Sequence, residues 1–401
     1  MLKNKIKCNK LINQLLKTIS KSEINMLAYK LVSIPSHSEV GTEEAAKWLY
    51  EFASKEGLPV RIQSTYRASH FNVLIAYPSL NKNPDLLLLG HLDTVPPFLS
   101  ATIRKNILFG RGAADMKGGI AAMIMTLIAL KRGQFPLEEK TVMVAAVAGE
   151  EIGGFGSKTL LSEVKPAACV VGEPTCLRIV TAHKGVEWIE IVVEGRSAHA
   201  SSPWLGVNSI SCAAAIVRAL EELARRWEQN YSHPLLGKPT FNIGVIYGGV
   251  APNIVPEKCV IRADRRWLPG ENLNKIYEDI QKTVSHAVQS IKGINIQIKR
   301  MDETLHCVPM ETPIDCRLVR EIQQVFVEEG LPAKVQGVSY GTDGSLFAAQ
   351  GIPTVILGPG NIAQAHSKNE YINLKEIWIA VKIYLHIVIH FLYNNPSCKA
   401  P

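Results

Sequence analysis

The chain has 401 residues, of which 47% are hydrophobic, and its formal net charge is +8. This length is enough for a large core and two domains. The charge does not indicate nucleic-acid binding, because residues 1–30 contain seven lysines and one acid and leave the remainder of the chain with only +2. Past residue 30 the basic side chains are interspersed with acids and form no stripe that could follow a phosphate backbone. We therefore expect no nucleic-acid partner.

The basic N-terminal segment, residues 1–30, lacks the pattern of a targeting signal. It contains no uninterrupted apolar stretch followed by small residues, as a secretory signal would. Transit peptides are rich in arginine, whereas the first arginine of this chain is Arg61. We predict a solvated extension that leads into an amphipathic helix. The eight cysteines form no C-x-x-C pair. Several lie in apolar segments, which is typical of reduced, buried thiols, so we expect a cytoplasmic protein.

Helix-like and strand-like patterns alternate through the first half of the chain. Bare apolar runs that are separated by helices indicate a parallel sheet covered on both faces. The predicted elements are a helix at 42–56, strands at Phe71–Tyr77 and Leu86–Leu89, a helix at 117–131, a strand at Val142–Ala148 and a strand that ends at Gly172.

The pattern changes near His183. The stretch GVEWIEIVVEG alternates as a half-exposed strand does, and it opens a β-α-β-β-α-β order that is typical of a ferredoxin-like unit. The other elements of this unit are a helix at 206–228, strands at 240–247 and 258–267, a helix at 272–288 and a strand at 293–300. The α/β pattern then returns with a helix at 313–329, a strand at 354–357 and a helix at 374–393. The sequence thus predicts an N-terminal extension at 1–30, a larger α/β domain formed by 31–182 and 301–401, and a smaller domain inserted at 183–300.

The last predicted helix, LKEIWIAVKIYLHIVIHFLY, is long enough to cross a membrane but has four polar residues on one face. These are Lys375, Lys382, His386 and His390, at spacings of seven, four and four. We predict an amphipathic helix that covers the core, and no membrane partner. The two histidines have the spacing of helical metal ligands, but without the glutamate of H-E-x-x-H we interpret them as part of a polar stripe.

Two adjacent carboxylates, Glu150 and Glu151, follow the apolar run Val142–Val147 in AAVAGEEIGGFGS. Such a pair at the end of a buried strand is costly to desolvate, and its members repel each other. A salt bridge, solvent exposure or a metal ion could offset this cost.

Further ligand-type side chains occur where predicted strands end in loops. They are His91 and Asp93 in LLLLGHLDTVPP, Asp115 in FGRGAADMKGG, Glu173 in VVGEPT and His366 in GPGNIAQAHSKNE. Individually, Asp115 could cap a helix, Glu173 could be a surface acid and His366 an exposed histidine. The carboxyl ends of parallel strands, however, form a common ligand crevice. Two imidazoles and several carboxylates suit a zinc-type site, so we predict that one of the adjacent glutamates binds metal while the other transfers protons.

These segments resemble, in order, the signatures of the M20 metallopeptidase family. The stretches that carry the resemblance are GHLDTVP, GRGAADMKGG, GEEIGGFGS, GEPT, GRSAHAS, GGVAPNIVP, RRWLPGE, GTDGSLF and AHSKNE. The family includes aminoacylase and glutamate carboxypeptidases, and the resemblance is greatest to acetylornithine deacetylase and succinyl-diaminopimelate desuccinylase. It implies a zinc-exopeptidase-like α/β catalytic domain with helices on both faces of a mostly parallel sheet. The inserted ferredoxin-like domain would be a lid and dimerisation domain. One departure is Gly149, where many members have an acid.

The resemblance also implies roles for the matching residues. One zinc ion would bind to His91, Asp115 and Glu173, and a second to Asp115, Glu151 and His366; cobalt or manganese could occupy the same ligands. Glu150 would be the general base, and Asp93 would orient the His91 imidazole.

In the inserted domain, the resemblance gives roles to three residues. His199 of GRSAHASSP would stabilise the oxyanion, Arg266 of ADRRWLPGE would bind a substrate carboxylate, and Asn253 of GGVAPNIVP would meet the substrate's carbonyl or carboxylate. Because strand side chains alternate, Arg265 would point to the opposite face from Arg266. The resemblance further implies a homodimer in which His199 acts in the neighbouring subunit's site.

The predicted function is release of an acyl group from an N-acyl amino acid or related amine by two metal ions and an activated water. The alternatives within the family are a metallo-dipeptidase or a carboxypeptidase that acts on short peptides. A non-catalytic metal-dependent binding protein is an alternative of another class, against which the retained Glu150 argues. A further alternative is an adaptor whose basic tail binds an anionic surface. The sequence does not determine the acyl group.

Overall fold

The computed structural model describes residues 2–81, 83–301 and 307–393, with side chains from residue 9 onward. The chain divides into two units. Unit 1 comprises the described residues of Met1–Thr181, Glu311–Gln336 and Thr342–Pro401, and unit 2 those of Ala182–Met310 and Gly337–Gly341.

The elements are numbered along the chain. The helices are α1 Leu2–Leu16, α2 Lys21–Ser33, α3 Glu43–Lys55, α4 Gly118–Arg132, α5 Phe155–Glu163, α6 Ser209–Asn230, α7 Leu273–Ala287, α8 Arg317–Glu329, α9 Gly344–Ala348 and α10 Leu374–Tyr393. The strands are β1 Val60–Ser64, β2 Phe71–Tyr77, β3 Leu86–His91, β4 Thr102–Arg104, β5 Ile107–Phe109, β6 Val142–Val147, β7 Cys169–Val171, β8 Val180–His183, β9 Gly185–Glu194, β10 Thr240–Gly248, β11 Lys258–Trp267, β12 Asn295–Arg300, β13 Met310–Glu311, β14 Gln336–Val338, β15 Thr354–Ile356 and β16 Tyr371–Asn373.

A mixed sheet forms the centre of unit 1, in the order β1-β2-β6-β3-β7-β15-β8-β13, with β14 beside β8. Its middle is parallel, because β3 pairs with β6 and β7, and β7 pairs with β15, in that direction. Every residue of β3 and β6 is buried, which explains why these strands are bare apolar runs instead of alternating ones. The predicted α/β fold is confirmed. The antiparallel pairs of β2 with β1 and β6 are an addition that the helix-separated pattern did not predict.

The two most apolar helices, α4 and α10, pack against each other inside unit 1. The segments Ala113–Arg132 and Leu374–Tyr393 are long and apolar enough to cross a membrane, but 100% and 72% of their apolar windows are buried within the protein. Their composition therefore corresponds to core helices.

The predicted polar stripe of α10 lies only partly at the surface, because Lys375 is exposed whereas His386 and His390 are buried and face helix α8. His386 Nδ1 lies 2.7 Å from Glu329 Oε1, and His390 Nε2 lies 3.1 Å from Glu328 Oε2. Lys382 also pairs with Glu329. Acids on a neighbouring helix thus lie within ion-pair distance of these three side chains, which lowers the cost of burying the two histidines.

The N-terminal helices also belong to the core, so from residue 9 onward the segment is not the predicted solvated extension, whereas the predicted amphipathic helix is present. Ile12 and Leu15 on α1, and Ile24 and Leu31 on α2, are buried in the main hydrophobic cluster. Ser20 and Glu23 form a reciprocal capping box at the start of α2, which fixes where this helix begins. The apolar residues of both helices recur on one face, which can be buried even though the helices carry several lysines, because lysine side chains can extend to water.

Unit 2 has the predicted β-α-β-β-α-β order, formed by β9, α6, β10, β11, α7 and β12. Its antiparallel sheet has the order β10-β11-β9-β12. The alternation in β9 buries Ile189, Ile191 and Val193 against the apolar faces of α6 and α7. The two strands at the ends of this order, β10 and β12, are its edges.

Candidate active site

The predicted ligand residues of unit 1 come together at the carboxyl ends of neighbouring parallel strands. His91 is the last residue of β3, Glu150 and Glu151 follow β6, and Glu173 follows β7. Asp115 lies in the irregular turn Ala113–Lys117 that leads into α4. Because β6, β3 and β7 are adjacent and parallel, their ends converge on one edge of the sheet.

Two groups of side chains are close enough to share a metal ion. In the first group, His91 Nε2 lies 3.1 Å from Asp115 Oδ1 and 3.5 Å from Glu173 Oε1. In the second, His366 Nε2 lies 3.0 Å from Glu151 Oε1 and 3.4 Å from Asp115 Oδ2. Within each group the ligand atoms all lie within 4.8 Å of one another. Asp115 belongs to both groups and offers a different oxygen to each, so a bridging role is geometrically available to it.

The two imidazoles are held in different ways. The buried His91 ring makes a hydrogen bond of 2.9 Å between its Nδ1 and the backbone carbonyl of Asp93. With Nδ1 as the donor to this carbonyl, Nε2 faces Asp115 and Glu173 and is the ring nitrogen that a metal ion would use. His366 is half-exposed, at 51% of its side chain, and its backbone has a positive φ of 60°. Packing therefore fixes His91, whereas the backbone must place His366.

Asp93 contacts the His91 imidazole through its backbone carbonyl and not through its carboxylate. Its carboxylate Oδ1 is 3.9 Å from His91 Nδ1, so the backbone oxygen and not the side chain orients the imidazole. The buried carboxylate instead accepts hydrogen bonds from the backbone N–H groups of Gly149 at 2.7 Å, Glu150 at 3.2 Å and Glu151 at 3.1 Å. Asp93 thus fixes the loop that carries both adjacent glutamates.

We expect Asp93→Ala to lower kcat/KM by about 10- to 100-fold, the usual cost of losing a residue that supports a metal ligand. The substitution leaves one buried and two partly buried N–H groups without their acceptor, so the Glu150–Glu151 loop loses its fixed position. Metal titration of the variant should show weaker binding in the group that contains Glu151 and little change in the group that contains His91. Selective loss in the His91 group would instead favour the original assignment to the imidazole.

Gly149 is required by its backbone and its surroundings. Its φ is +77°, and a Cβ at this position would lie 2.0 Å from the ring of Phe155. A side chain is therefore excluded by both strain and overlap. This explains the departure at Gly149, since an acid could not fit here without moving Phe155.

The electrostatics of the site indicate a missing positive charge. Burial, together with neighbouring carboxylates, raises the pKa of Glu150 and of Glu173 well above the usual range. Hydrogen bonds to Asp115 and Glu151 raise the pKa of His366 to about 10. Burial lowers the pKa of His91, but Glu173 and Asp115 outweigh it and raise that pKa well above its usual value. The carboxylates are therefore neutralised by bound protons and by the positive charge of the imidazoliums. A divalent cation at this site would supply that positive charge instead. Imidazole nitrogens and carboxylate oxygens are a donor set that suits zinc-type ions, so the residues fit a metal centre.

The three predicted residues of unit 2 lie on its own loops and strands. His199 is exposed, and its Nδ1 lies 2.7 Å from Ser201 Oγ. The backbone of His199 pairs with the segment that carries Asn253. The backbone carbonyl of Asn253 accepts a hydrogen bond of 3.0 Å from the N–H of Ala200. These two residues are therefore neighbours within unit 2, and their roles stay predictions.

Arg266 and Arg265 point to opposite faces of β11, as predicted. Arg265 is fully buried and pairs with Glu271. Arg266 is partly exposed, and its Nε and Nη2 donate to the two oxygens of Asp264 at 2.8 and 2.9 Å. A substrate carboxylate would have to use the remaining donors or displace Asp264, so carboxylate binding by Arg266 also stays a prediction.

Three buried residues near the ligands were not singled out from the sequence. Asp343 accepts a hydrogen bond of 2.6 Å from Ser157 Oγ, and burial raises its pKa to about 6. Arg111 and Glu370 form a buried ion pair of 2.7 Å. All three lie inside the motif stretches GTDGSLF, GRGAADMKGG and AHSKNE. For Arg111 and Glu370, a charged residue four positions from a ligand was the available signal.

Two ligand groups that share a buried aspartate, with a further carboxylate beside them, define a metal-dependent hydrolase. The sequence profile described as Peptidase family M20/M25/M40 matches residues 87–390. The chain belongs to this family, and it is a metal-dependent hydrolase that acts on amide bonds.

Individual relatives agree with this assignment. An acetylornithine deacetylase of Photorhabdus laumondii is 31% identical over 380 residues, which cover 91% of this chain and 93% of the relative. A protein of Aspergillus clavatus named "Probable carboxypeptidase" is 31% identical over 384 residues, covering 88% of this chain and 85% of its own length. Among solved structures, a tripeptidase of Staphylococcus aureus has a TM-score of 0.77 at 23% identity and covers 94% of this chain and 99% of that chain. This last similarity supports the fold alone.

Proposed function

We propose that this protein is a deacylase of the acetylornithine deacetylase type, which hydrolyses the amide bond of an N-acylated amino acid with two divalent metal ions. The observation that carries the proposal is the pair of ligand groups joined by Asp115, with Glu150 beside them. The substrate class rests on the Photorhabdus laumondii relative, which matches over nearly the whole length of both chains.

His91, Asp115 and Glu173 would hold one ion, and Asp115, Glu151 and His366 the other. When bound, such ions lower the pKa of a water molecule and polarise the scissile carbonyl. Zinc suits these ligands, and cobalt or manganese could use the same ones.

Glu150 is the proposed general base. Its carboxylate takes a proton from the attacking water while the oxygen of that water bonds to the acyl carbon. The same carboxyl then delivers the proton to the amine nitrogen as the C–N bond breaks, which gives a carboxylic acid and a free amine. Burial, together with the neighbouring carboxylates, raises the pKa of Glu150, which suits it to return a proton. Asp93 keeps Glu150 in place through the backbone.

A carboxypeptidase or dipeptidase is the second candidate, favoured by the Aspergillus clavatus relative. Both reactions cleave an amide near a carboxylate, and the same residues of unit 1 would serve. The two candidates differ in the group on the acyl side of the bond.

A substrate panel distinguishes these candidates. Chelator-treated protein is resupplied with Zn²⁺ and assayed with Nα-acetylornithine, N-succinyl-diaminopimelate, other N-acetyl amino acids and dipeptides that share the same C-terminal residue. We expect kcat/KM for the best N-acetyl amino acid to exceed that of its matched dipeptide by about tenfold or more. A preference for dipeptides would overturn the deacylase assignment in favour of a peptidase. Glu150→Gln is the control for metal-dependent background hydrolysis.

We further propose a homodimer that forms through unit 2. The edge strand β10 carries the exposed apolar residues Val245, Ile246 and Tyr247, and Trp204 and Val250 are also exposed in this unit. An open edge with apolar side chains can pair with the same surface of a second copy. A cytoplasmic location stays a prediction.

Mixing two inactive variants tests the dimer and the role of His199. If His199 acts in the partner's site, a mixed dimer of His199→Ala and Glu150→Ala chains has one site that lacks both residues and one intact site. We expect activity to return on mixing, up to about a quarter of the wild-type value for random pairing. A fully active monomer, or no recovery in dimers shown to have exchanged chains, would contradict action between subunits.

A further inference from the structure

The buried ion pair of Arg111 and Glu370 joins the two chain segments that carry Asp115 and His366. Arg111 follows strand β5, and Glu370 precedes strand β16, which pairs with β5. The backbone N–H of Gly110 donates to the carbonyl of Glu370 at 3.1 Å, so the strand ladder brings these distant residues side by side. Both side chains are nearly inaccessible, at 3% and 1% exposure.

The two carboxylate oxygens of Glu370 accept hydrogen bonds from different partners. Oε2 accepts from Arg111 Nη1 at 2.7 Å. Oε1 accepts from the backbone N–H of Ala114 at 3.0 Å and of Asp115 at 3.1 Å. The carboxylate therefore fixes the backbone of the turn from which Asp115 reaches both ligand groups.

Arg111 extends this connection to His366. Its Nη1 also donates to the carbonyl of Ser367 at 3.2 Å, and its Nε donates to the carbonyl of Pro97 at 3.3 Å. Ser367 directly follows His366, which is half-exposed and has a positive φ. Few side-chain contacts can fix the exposed His366 ring, and a positive φ is unfavourable for a residue other than glycine. The hydrogen bond to the Ser367 carbonyl therefore helps to hold this backbone in place.

We propose that Arg111 and Glu370 are positioning residues that set the distance between Asp115 and His366 and thereby form the second ligand group. This inference rests on the proposed metal-dependent function. The first group does not depend on the pair to the same extent, since His91 is buried and held by the carbonyl of Asp93.

The double variant Arg111→Met/Glu370→Gln tests the hydrogen bond from Arg111 to the carbonyl of Ser367 separately from the hydrogen bonds that Glu370 accepts. It removes both charges together, so no unpaired buried charge remains. The glutamine oxygen can still accept from the N–H groups of Ala114 and Asp115, whereas the donor to Ser367 is lost. As a control, Lys382→Met/Glu329→Gln removes a partly exposed ion pair between α8 and α10, which supply none of the ligands.

The experiment is a titration of the chelator-treated, full-length protein with Co²⁺, together with thermal unfolding of the metal-free forms. We expect two ions per wild-type chain and per control chain. In the Arg111→Met/Glu370→Gln variant, one ion should bind as in the wild type and the second about 10- to 100-fold more weakly. His366→Ala should weaken the same ion, and metal-free unfolding should change little in the double variant.

Arg111→Lys provides a second test that keeps the charge for Glu370. A single ammonium cannot replace the fork that reaches Glu370, Ser367 and Pro97 together, so the second ion should again bind more weakly, by roughly tenfold. Wild-type binding of both ions by Arg111→Lys and by the folded double variant would overturn this inference and leave the proposed function intact. A wild-type chain that binds no Co²⁺ would overturn both.

Discussion

Replacing Glu150 by alanine should lower kcat by about 10²–10⁴-fold while both metal ions stay bound. Glu150 lies beside the ligand groups but is a member of neither. Removing its carboxylate takes away the group that accepts and returns the proton, and leaves Asp115, Glu151 and both histidines in place. The measurements are kcat for the best substrate of the panel and metal content per chain.

Glu151→Ala is the matched comparison, since it removes the neighbouring carboxylate from the same loop. This variant should lose activity and one metal ion, because Glu151 Oε1 lies 3.0 Å from His366 Nε2 in the second ligand group. Equal metal loss in the two variants would contradict the division of roles. The assignment of base and ligand would then have to be exchanged or abandoned.

Replacing Asp115 by alanine should remove both metal ions and reduce hydrolysis to the uncatalysed background. Asp115 is the residue common to the two groups, with Oδ1 3.1 Å from His91 and Oδ2 3.4 Å from His366. Hydrogen bonds from both imidazoles outweigh burial and hold the pKa of Asp115 well below its usual range, so the carboxylate is available as an anion to two cations.

His366→Ala should by contrast remove only one ion, since its group shares Asp115 with an otherwise complete first group. Asp343→Asn is the control for the loss of a buried acid, because Asp343 lies in neither group and bonds to Ser157. Metal content should be near zero for Asp115→Ala, one for His366→Ala and two for Asp343→Asn. Retention of one tightly bound ion by Asp115→Ala would rule out a bridging role.

Local pattern was enough to place three of the ligand residues at neighbouring strand ends. Bare apolar runs in β3, β6 and β7 predicted parallel neighbours, and the carboxyl ends of such strands must lie on one edge of the sheet. His91, Glu151 and Glu173 could therefore be grouped before any distance was known. His366, which is far along the chain and follows β15, was a candidate for the same reason, and the ordered motifs then assigned it to the second group.

The contacts of some residues could not be predicted in this way, because one residue has several polar groups that point in different directions. Asp93 has a backbone carbonyl that meets His91 and a carboxylate that meets three N–H groups. A sequence identifies the residue but does not specify which of its oxygens faces which partner. The same limit applies to Arg266, whose fork faces Asp264 on its own strand.

The sequence by itself determined the α/β class, the order of the elements in unit 2 and the family, and the resemblance to that family implied which residues would form the two ligand groups. These depend on periodicity and on motif order, which are local or sequential properties. Only the tertiary structure decided that the N-terminal helices join the core, that the α10 histidines face acids on α8, and that Arg111 meets Glu370. Each of these contacts joins residues far apart in the chain, and the free energy that selects it comes from burying and pairing both partners together.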